Sequence, residues 1–365
     1  IMKKDLFNIV LPGIFIPLVL GSVYNYSQYA KNIMEVFDIS KFSADIGFSL
    51  IIFFLGMGAA VFGRFVEMFP KRMAIVSTIL FAIGLLTISF ATYTGILPLY
   101  YIGCSFIGTG TGIGFFSGLS ICSFGLGKFV AAPLIEYLLA TFTLPVVFLL
   151  IGLIFLAVMS FSSLLYKPNP AYISTKYTAI PYKTLIKAKF LTKEYISIWF
   201  MFFINITCGL ALISQEKILF LNVGYTAIAL LMAATAVANV GGRFGMSTAS
   251  DYIGRKGSYN IICIVGILGA LLCYTQNPIL LVCGILFCEF AYGGNFSVLP
   301  SLLAKQFGDS CLSTVHSMTL SGWGLAGITS VFLANIFTGN MLYLILACLY
   351  LIGFICCTIC VKREN

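Results

Sequence analysis

Charge is scarce in this chain, and so are histidine and tryptophan. Only 9% of its 365 residues are Asp, Glu, Lys or Arg, whereas soluble domains carry about 25%. With 60% of residues hydrophobic and a mean hydropathy of +1.04, no soluble core could hide the apolar surface. The single histidine, His316, leaves no acid–base constellation at motif spacing, so an enzyme is not expected and no cofactor is implied. Cys357 and Cys360 form a CxxC, but in an apolar run and without a second pair or a neighbouring histidine, so no metal site is read there. The glycine run Gly108-Thr-Gly110-Thr-Gly112-Ile-Gly114 lacks the Lys-Ser/Thr of a phosphate loop, and its GxxxG spacings suit close helix packing instead. The net charge of +9 does not form one basic stripe, which argues against nucleic acid as a partner. No cleavable leader stands out, because the first apolar run is longer than a signal h-region. Ile1 is not a natural start, so the chain reads as a trimmed or partial form.

What is present is a succession of apolar runs. A membrane helix needs about 20 mostly apolar residues. On that basis twelve spans are expected, six before a polar linker at 167–194 and six after it. The implied division is a six-helix half at 1–166, the linker, and a second six-helix half at 195–365. One stretch resists this count. Residues 97–139 must hold two spans yet offer only Phe115-Phe116-Ser117-Gly118 as a turn, which predicts missing residues or a break near Gly114–Phe115.

Lys and Arg set the orientation. With the N-terminus in the cytoplasm, Lys3, Lys4, Arg64, Lys71, Arg72, the six linker lysines, Arg255, Lys256, Lys305, Lys362 and Arg363 lie inside. Only Lys31, Lys41 and Lys217 lie outside, while Lys128 and Arg243 fall within spans. The expected setting is therefore a multi-pass protein of a plasma (inner) membrane with both termini cytoplasmic, working as a monomer among lipid.

The two halves echo each other. After the second span comes Gly63-Arg-Phe-Val-Glu67-Met-Phe-Pro-Lys71-Arg72, and after the eighth comes Ser247-Thr-Ala-Ser-Asp251-Tyr-Ile-Gly-Arg255-Lys256. In each, a small residue precedes an acid by four and two cations follow within five. Glu67 and Asp251 stand 184 residues apart. This duplicated loop resembles the signature of the major facilitator superfamily, and the resemblance runs the length of the chain. It implies an all-α membrane protein of twelve helices in two six-helix halves, related as a parallel repeat. It also implies a cytoplasmic charge network of Glu67, Arg72, Asp251, Arg255 and Lys256 that latches the halves. The first copy departs from the pattern, with Glu for Asp and Pro for Gly.

Four segments resemble the oxalate/formate antiporter family, which is akin to the monocarboxylate porters. They are Gly21-Ser-Val-Tyr24-Asn-Tyr26-Ser, Asn239-Val-Gly-Gly-Arg243, Tyr292-Gly-Gly-Asn295-Phe-Ser-Val-Leu-Pro300, and His316-Ser-Met-Thr-Leu-Ser-Gly-Trp323-Gly. The resemblance implies that Arg243 holds a substrate carboxylate and that Tyr24 lines the same cavity. It implies cavity roles for Tyr292 and Asn295 too. Trp323 stands where the oxalate carriers have a lysine, which favours a monocarboxylate over oxalate.

The residues support an anion site independently. Arg243 lies eight residues before Asp251, about 12 Å into the membrane. A cation there is costly, which marks it as a functional candidate. Asn239, at i−4, shares its helix face. Lys128 is a second cation in a span; it either contacts the anion, pairs with Glu289, or snorkels. Glu289 and His316 are the candidates for proton coupling, each with a structural alternative. The functional expectation is a secondary active transporter of small carboxylates, by anion antiport or proton symport. A non-transporting receptor that keeps the carrier fold is the other reading.

Overall fold

A computed structural model describes residues 6–114, 118–167, 189–308 and 312–361. The expected break at Gly114–Phe115 adjoins residues 115–117, which lie outside this set, as do the Glu67 side chain and most of the 167–194 linker.

Among the described residues, twelve long helical units follow one another. We label them α1 (Leu11–Leu20, running through a 3₁₀ turn at Gly21–Asn25 into Tyr26–Phe37), α2 (Lys41–Met68), α3 (Pro70–Thr94), α4 (Leu97–Gly114), α5 (Gly118–Thr141), α6 (Leu144–Leu165), α7 (Lys193–Ile213), α8 (Ile228–Ile253), α9 (Arg255–Tyr274), α10 (Pro278–Phe307), α11 (Leu312–Thr319 and Ser321–Ile336) and α12 (Asn340–Cys360). A short connector helix, Glu216–Asn222, lies between α7 and α8. Among the described residues, eleven helices are long and apolar enough to cross a membrane. The unit outside that set is α4, only 18 residues long and rich in Gly and Thr. Large apolar side chains such as Phe161, Leu164, Leu230 and Ile279 stay exposed on the outside of the bundle, which suits lipid rather than water.

Local chemistry starts and stops these helices. Ser40 and Thr192 accept backbone N–H bonds at the starts of α2 and α7, and Asn277 accepts two at the start of α10, where Pro278 follows. Gly95 and Gly308, both at positive φ, end α3 and α10. In the structure Gly224, at φ 87°, breaks the chain after the connector helix, and α8 begins at Ile228.

Helix packing follows the small residues. Gly108 and Gly112 of α4 abut the backbone of α2, while Gly110 abuts α3. Within the first half α4 packs on α2 and α3, and α3 packs on α6; within the second, α10 packs on α8 and α9, and α12 on α7 and α9. Two seams join the halves. Along one, α2 meets α11, with Ser49 Oγ donating to the Gly327 carbonyl at 3.0 Å. Along the other, α5 meets α8.

Candidate functional site

The α5–α8 seam brings the scattered charges together. Lys128 on α5 is buried and donates through Nζ to Glu289 Oε1 of α10 at 2.9 Å. The same Nζ lies 2.5 Å from Glu216 Oε2 on the connector helix. The other oxygen of Glu289 accepts from Asn239 Nδ2 at 2.7 Å. Asn239 Oδ1 in turn accepts from Arg243 Nε at 2.8 Å. A continuous chain of polar contacts thus runs Glu216, Lys128, Glu289, Asn239, Arg243. It contains two cations and two carboxylates, all nearly inaccessible. Balanced charge is what makes such burial tolerable. The pairing of Lys128 with Glu289, one of three readings open from sequence, is the one observed.

Arg243 is also set among aromatic rings. Its Cζ lies 5.1 Å from the Phe296 ring centroid, a cation–π arrangement. Trp323 packs on Phe296 with centroids 4.5 Å apart and on Phe124 at 5.8 Å. Tyr24, carried by the 3₁₀ turn of α1, shares a 2.7 Å hydroxyl hydrogen bond with Tyr292 of α10. Tyr24 also packs edge-on to Phe124. The packed cluster around Arg243 therefore draws on both sides of the seam, with Tyr24, Phe124 and Lys128 from one, and Arg243, Tyr292, Phe296 and Trp323 from the other.

Other candidates sit apart from this chain of contacts. Asn295 points into its own half, where Oδ1 accepts from Asn205 Nδ2 at 3.2 Å and Nδ2 donates to the Ala291 carbonyl. His316 belongs to the short helix Leu312–Thr319 of α11, beyond the polar chain. In the signature loops, Arg255 Nη2 lies 3.2 Å from Asp251 Oδ1. Lys256 Nζ donates to the carbonyls of Thr358 and Val361, at the end of α12. Lys71 does the same to Leu164 at the end of α6, and Arg72 lies over the Phe69 ring. These contacts tie each loop to its own half, and the lysines favour the negative end of a helix dipole.

Sequence reasoning missed Glu216. Its position after the apolar run of α7, beside Lys217, reads as a solvated turn. In the short helix the two side chains point about 100° apart. Lys217 donates to the Gln28 carbonyl of α1 at 2.7 Å, while Glu216 turns inward and is fully buried. Partial burial lowers the Lys217 pKa from the ordinary lysine value.

Comparison with known proteins bears on the family and the fold. The model of the Major Facilitator Superfamily matches residues 111–331. An uncharacterized MFS-type transporter of Escherichia coli (strain K12), YhjX, is 25% identical over 337 residues, covering 85% of this chain and 82% of the relative. Among solved structures, the inward-open xylose transporter XylE from E. coli superposes with a TM-score of 0.74 at 16% identity, covering 98% of this chain and 96% of that one. The outward conformation of FucP superposes at 0.68 with 15% identity, covering 98% and 100%. Likeness at this level of identity carries the fold, and the match to the family model carries the assignment. The chain belongs to the major facilitator superfamily and is a multi-pass membrane transporter rather than an enzyme.

Proposed function

We propose that the protein carries small monocarboxylates, with Arg243 as the main carboxylate contact and Asn239 beside it. The observation that carries this reading is the placement of Arg243 at the α5–α8 seam, held by a neutral amide and walled by aromatic rings. A guanidinium offers a planar fork of donors that matches a carboxylate. The aromatic surfaces of Phe296 and Trp323 suit a short apolar tail. The sequence resemblance to the oxalate/formate antiporter family points the same way. Tyr24 and Tyr292 come from opposite halves, so their hydrogen bond must break if those halves separate. In this reading the halves 1–166 and 195–365 rock about the site, joined by the 167–194 linker, and the signature loops order the cytoplasmic ends. Coupling is by anion exchange or by proton symport through Glu289, in a monomer of the plasma (inner) membrane.

The substrate test is uptake by proteoliposomes. Formate, acetate or lactate is expected to compete at least about tenfold better than oxalate, the size of one moderate contact. Equal competition by oxalate counts against the monocarboxylate preference. Orientation has its own test. In a background without native cysteines, Lys189→Cys and Lys256→Cys are expected to react with an impermeant thiol reagent from the cytoplasmic side, and Lys31→Cys from the other. Labelling of 189 and 256 from opposite sides overturns that topology.

A further inference from the structure

We infer that Glu216 is the proton-binding carboxyl of this carrier: it takes up one proton as the connector helix closes onto Lys128, and gives it up when the connector moves away. The inference rests on the proton-symport form of the proposed function and moves the proton from Glu289 to Glu216.

Two carboxyl groups meet at one ammonium. Lys128 Nζ donates to Glu289 Oε1 at 2.9 Å and lies 2.5 Å from Glu216 Oε2. Both acids are buried, where an unbalanced second negative charge is costly. When two carboxylates share such a place, one of them holds a proton. Hydrogen-bond donors decide which. Glu289 has a donor on each oxygen, Lys128 on one and Asn239 on the other. Donors to the charged form keep a carboxylate ionised. Glu216 has Lys128 at Oε2 and, among the described residues, no donor at Oε1. The proton therefore falls on Glu216. Its surroundings act in the same direction. Burial pushes the Glu216 carboxyl above its ordinary range, Lys128 draws it down and Glu289 pushes it up again, with a net rise.

The charged groups that face Glu216 are Lys128 of α5 and Glu289 of α10. On its own helix Lys217 turns away to the Gln28 carbonyl, with Glu136 of α5 and Lys31 of α1 around it. Arg243 of α8 stands further along the chain of contacts, beyond Asn239.

The same geometry makes the proton conditional on closure. Glu216 opens the connector that follows α7, and it reaches across the seam to α5. Lys217 crosses likewise to α1. Both contacts break if the two sides of the seam part at this end. A carboxyl that leaves a dry contact for water returns to its ordinary acidity. Closing thus raises the proton affinity of Glu216, and by reciprocity protonation favours closing. That advantage is full below the pKa of the open form and is lost as pH rises through the higher pKa of the closed form.

The test uses the full chain, purified in detergent, in a background without native cysteines and with Ser214→Cys as reporter. Ser214 is buried two residues before Glu216. Its labelling by a polar thiol reagent is followed between about pH 5 and about pH 9, a window that brackets a raised carboxyl pKa. Rates are taken relative to the exposed Lys31→Cys, so that the titration of the thiol itself cancels. In the parent this ratio is expected to rise with pH by at least about tenfold, the size of one pKa unit. In Glu216→Gln it is expected to stay flat, and in Glu289→Gln to keep a pH dependence. A parent ratio that ignores pH overturns the inference, as does a Glu216→Gln protein that keeps the parent's dependence. If Glu216→Gln does not fold, Glu216→Ala, equally unable to take a proton, answers the same question. In proteoliposomes, Glu216→Gln is expected to lose lactate uptake driven by an inward proton gradient, measured above protein-free liposomes, while keeping lactate exchange. Gradient-driven uptake at the parent level in that variant also overturns the inference. A parent that moves neither lactate, formate nor acetate fails the proposed function, and the labelling, which needs no substrate, still decides whether Glu216 binds the proton.

Discussion

Replacing Arg243 by Gln is expected to leave a folded protein that no longer moves the anion. Truncating one partner of a buried, hydrogen-bonded charge pair costs about 2–5 kcal/mol, which is roughly 30- to 4,000-fold in affinity. Gln keeps a donor for the Asn239 oxygen, so the local structure of α8 has a means to persist. The charge and the fork are what it lacks. Arg243→Lys is the informative companion, because it restores the charge without the bidentate geometry. It is expected to retain only a minor share of transport. Uptake and equilibrium binding in proteoliposomes, with thermal unfolding as a check on folding, decide the matter. Near-parent flux in a folded Arg243→Gln protein places the anion site elsewhere.

Lys128→Met is expected to produce the largest loss of stability. The methionine fills much of the space of the lysine stem but leaves Glu216 and Glu289 facing each other in a dry interior. Breaking a buried ion pair on one side costs about 3–5 kcal/mol, because the partner charge is stranded. Here two carboxylates lose their shared cation. Neutralising them should undo most of the damage, so the triple variant Lys128→Met/Glu216→Gln/Glu289→Gln is expected to recover much of the parent's thermal stability. Apparent melting temperatures of the three proteins in one detergent measure this. A Lys128→Met protein as stable as the parent would show that the network adds little to the fold. The contrast with Glu216→Gln is useful, since that change leaves Lys128 paired with Glu289.

The legible and illegible parts of this molecule divide along a physical line. Periodicities that lie within one helix could be read directly. Asn239 and Arg243 share a face because they are four apart, and they are bonded at 2.8 Å. The glycines of α4 at four-residue spacing pack on one neighbour for the same reason. The membrane setting followed from composition, and the superfamily from a loop repeated at a fixed interval. Contacts between helices depend on how each rod is rotated and how deep it sits, and no local pattern encodes either. Tyr292 and Asn295 are three residues apart on α10, yet one meets Tyr24 of the other half and the other meets Asn205 of its own. Glu216 and Lys217 are adjacent, and only the packing of the connector helix sends one into the interior and the other to the Gln28 carbonyl. Sequence alone determined that this chain is a multi-pass helical membrane protein with a cation, Arg243, inside one of its apolar runs. The tertiary structure decided which carboxylates that cation's network includes, because burial of charge is settled by the sum over every helix at the seam and not by any one of them.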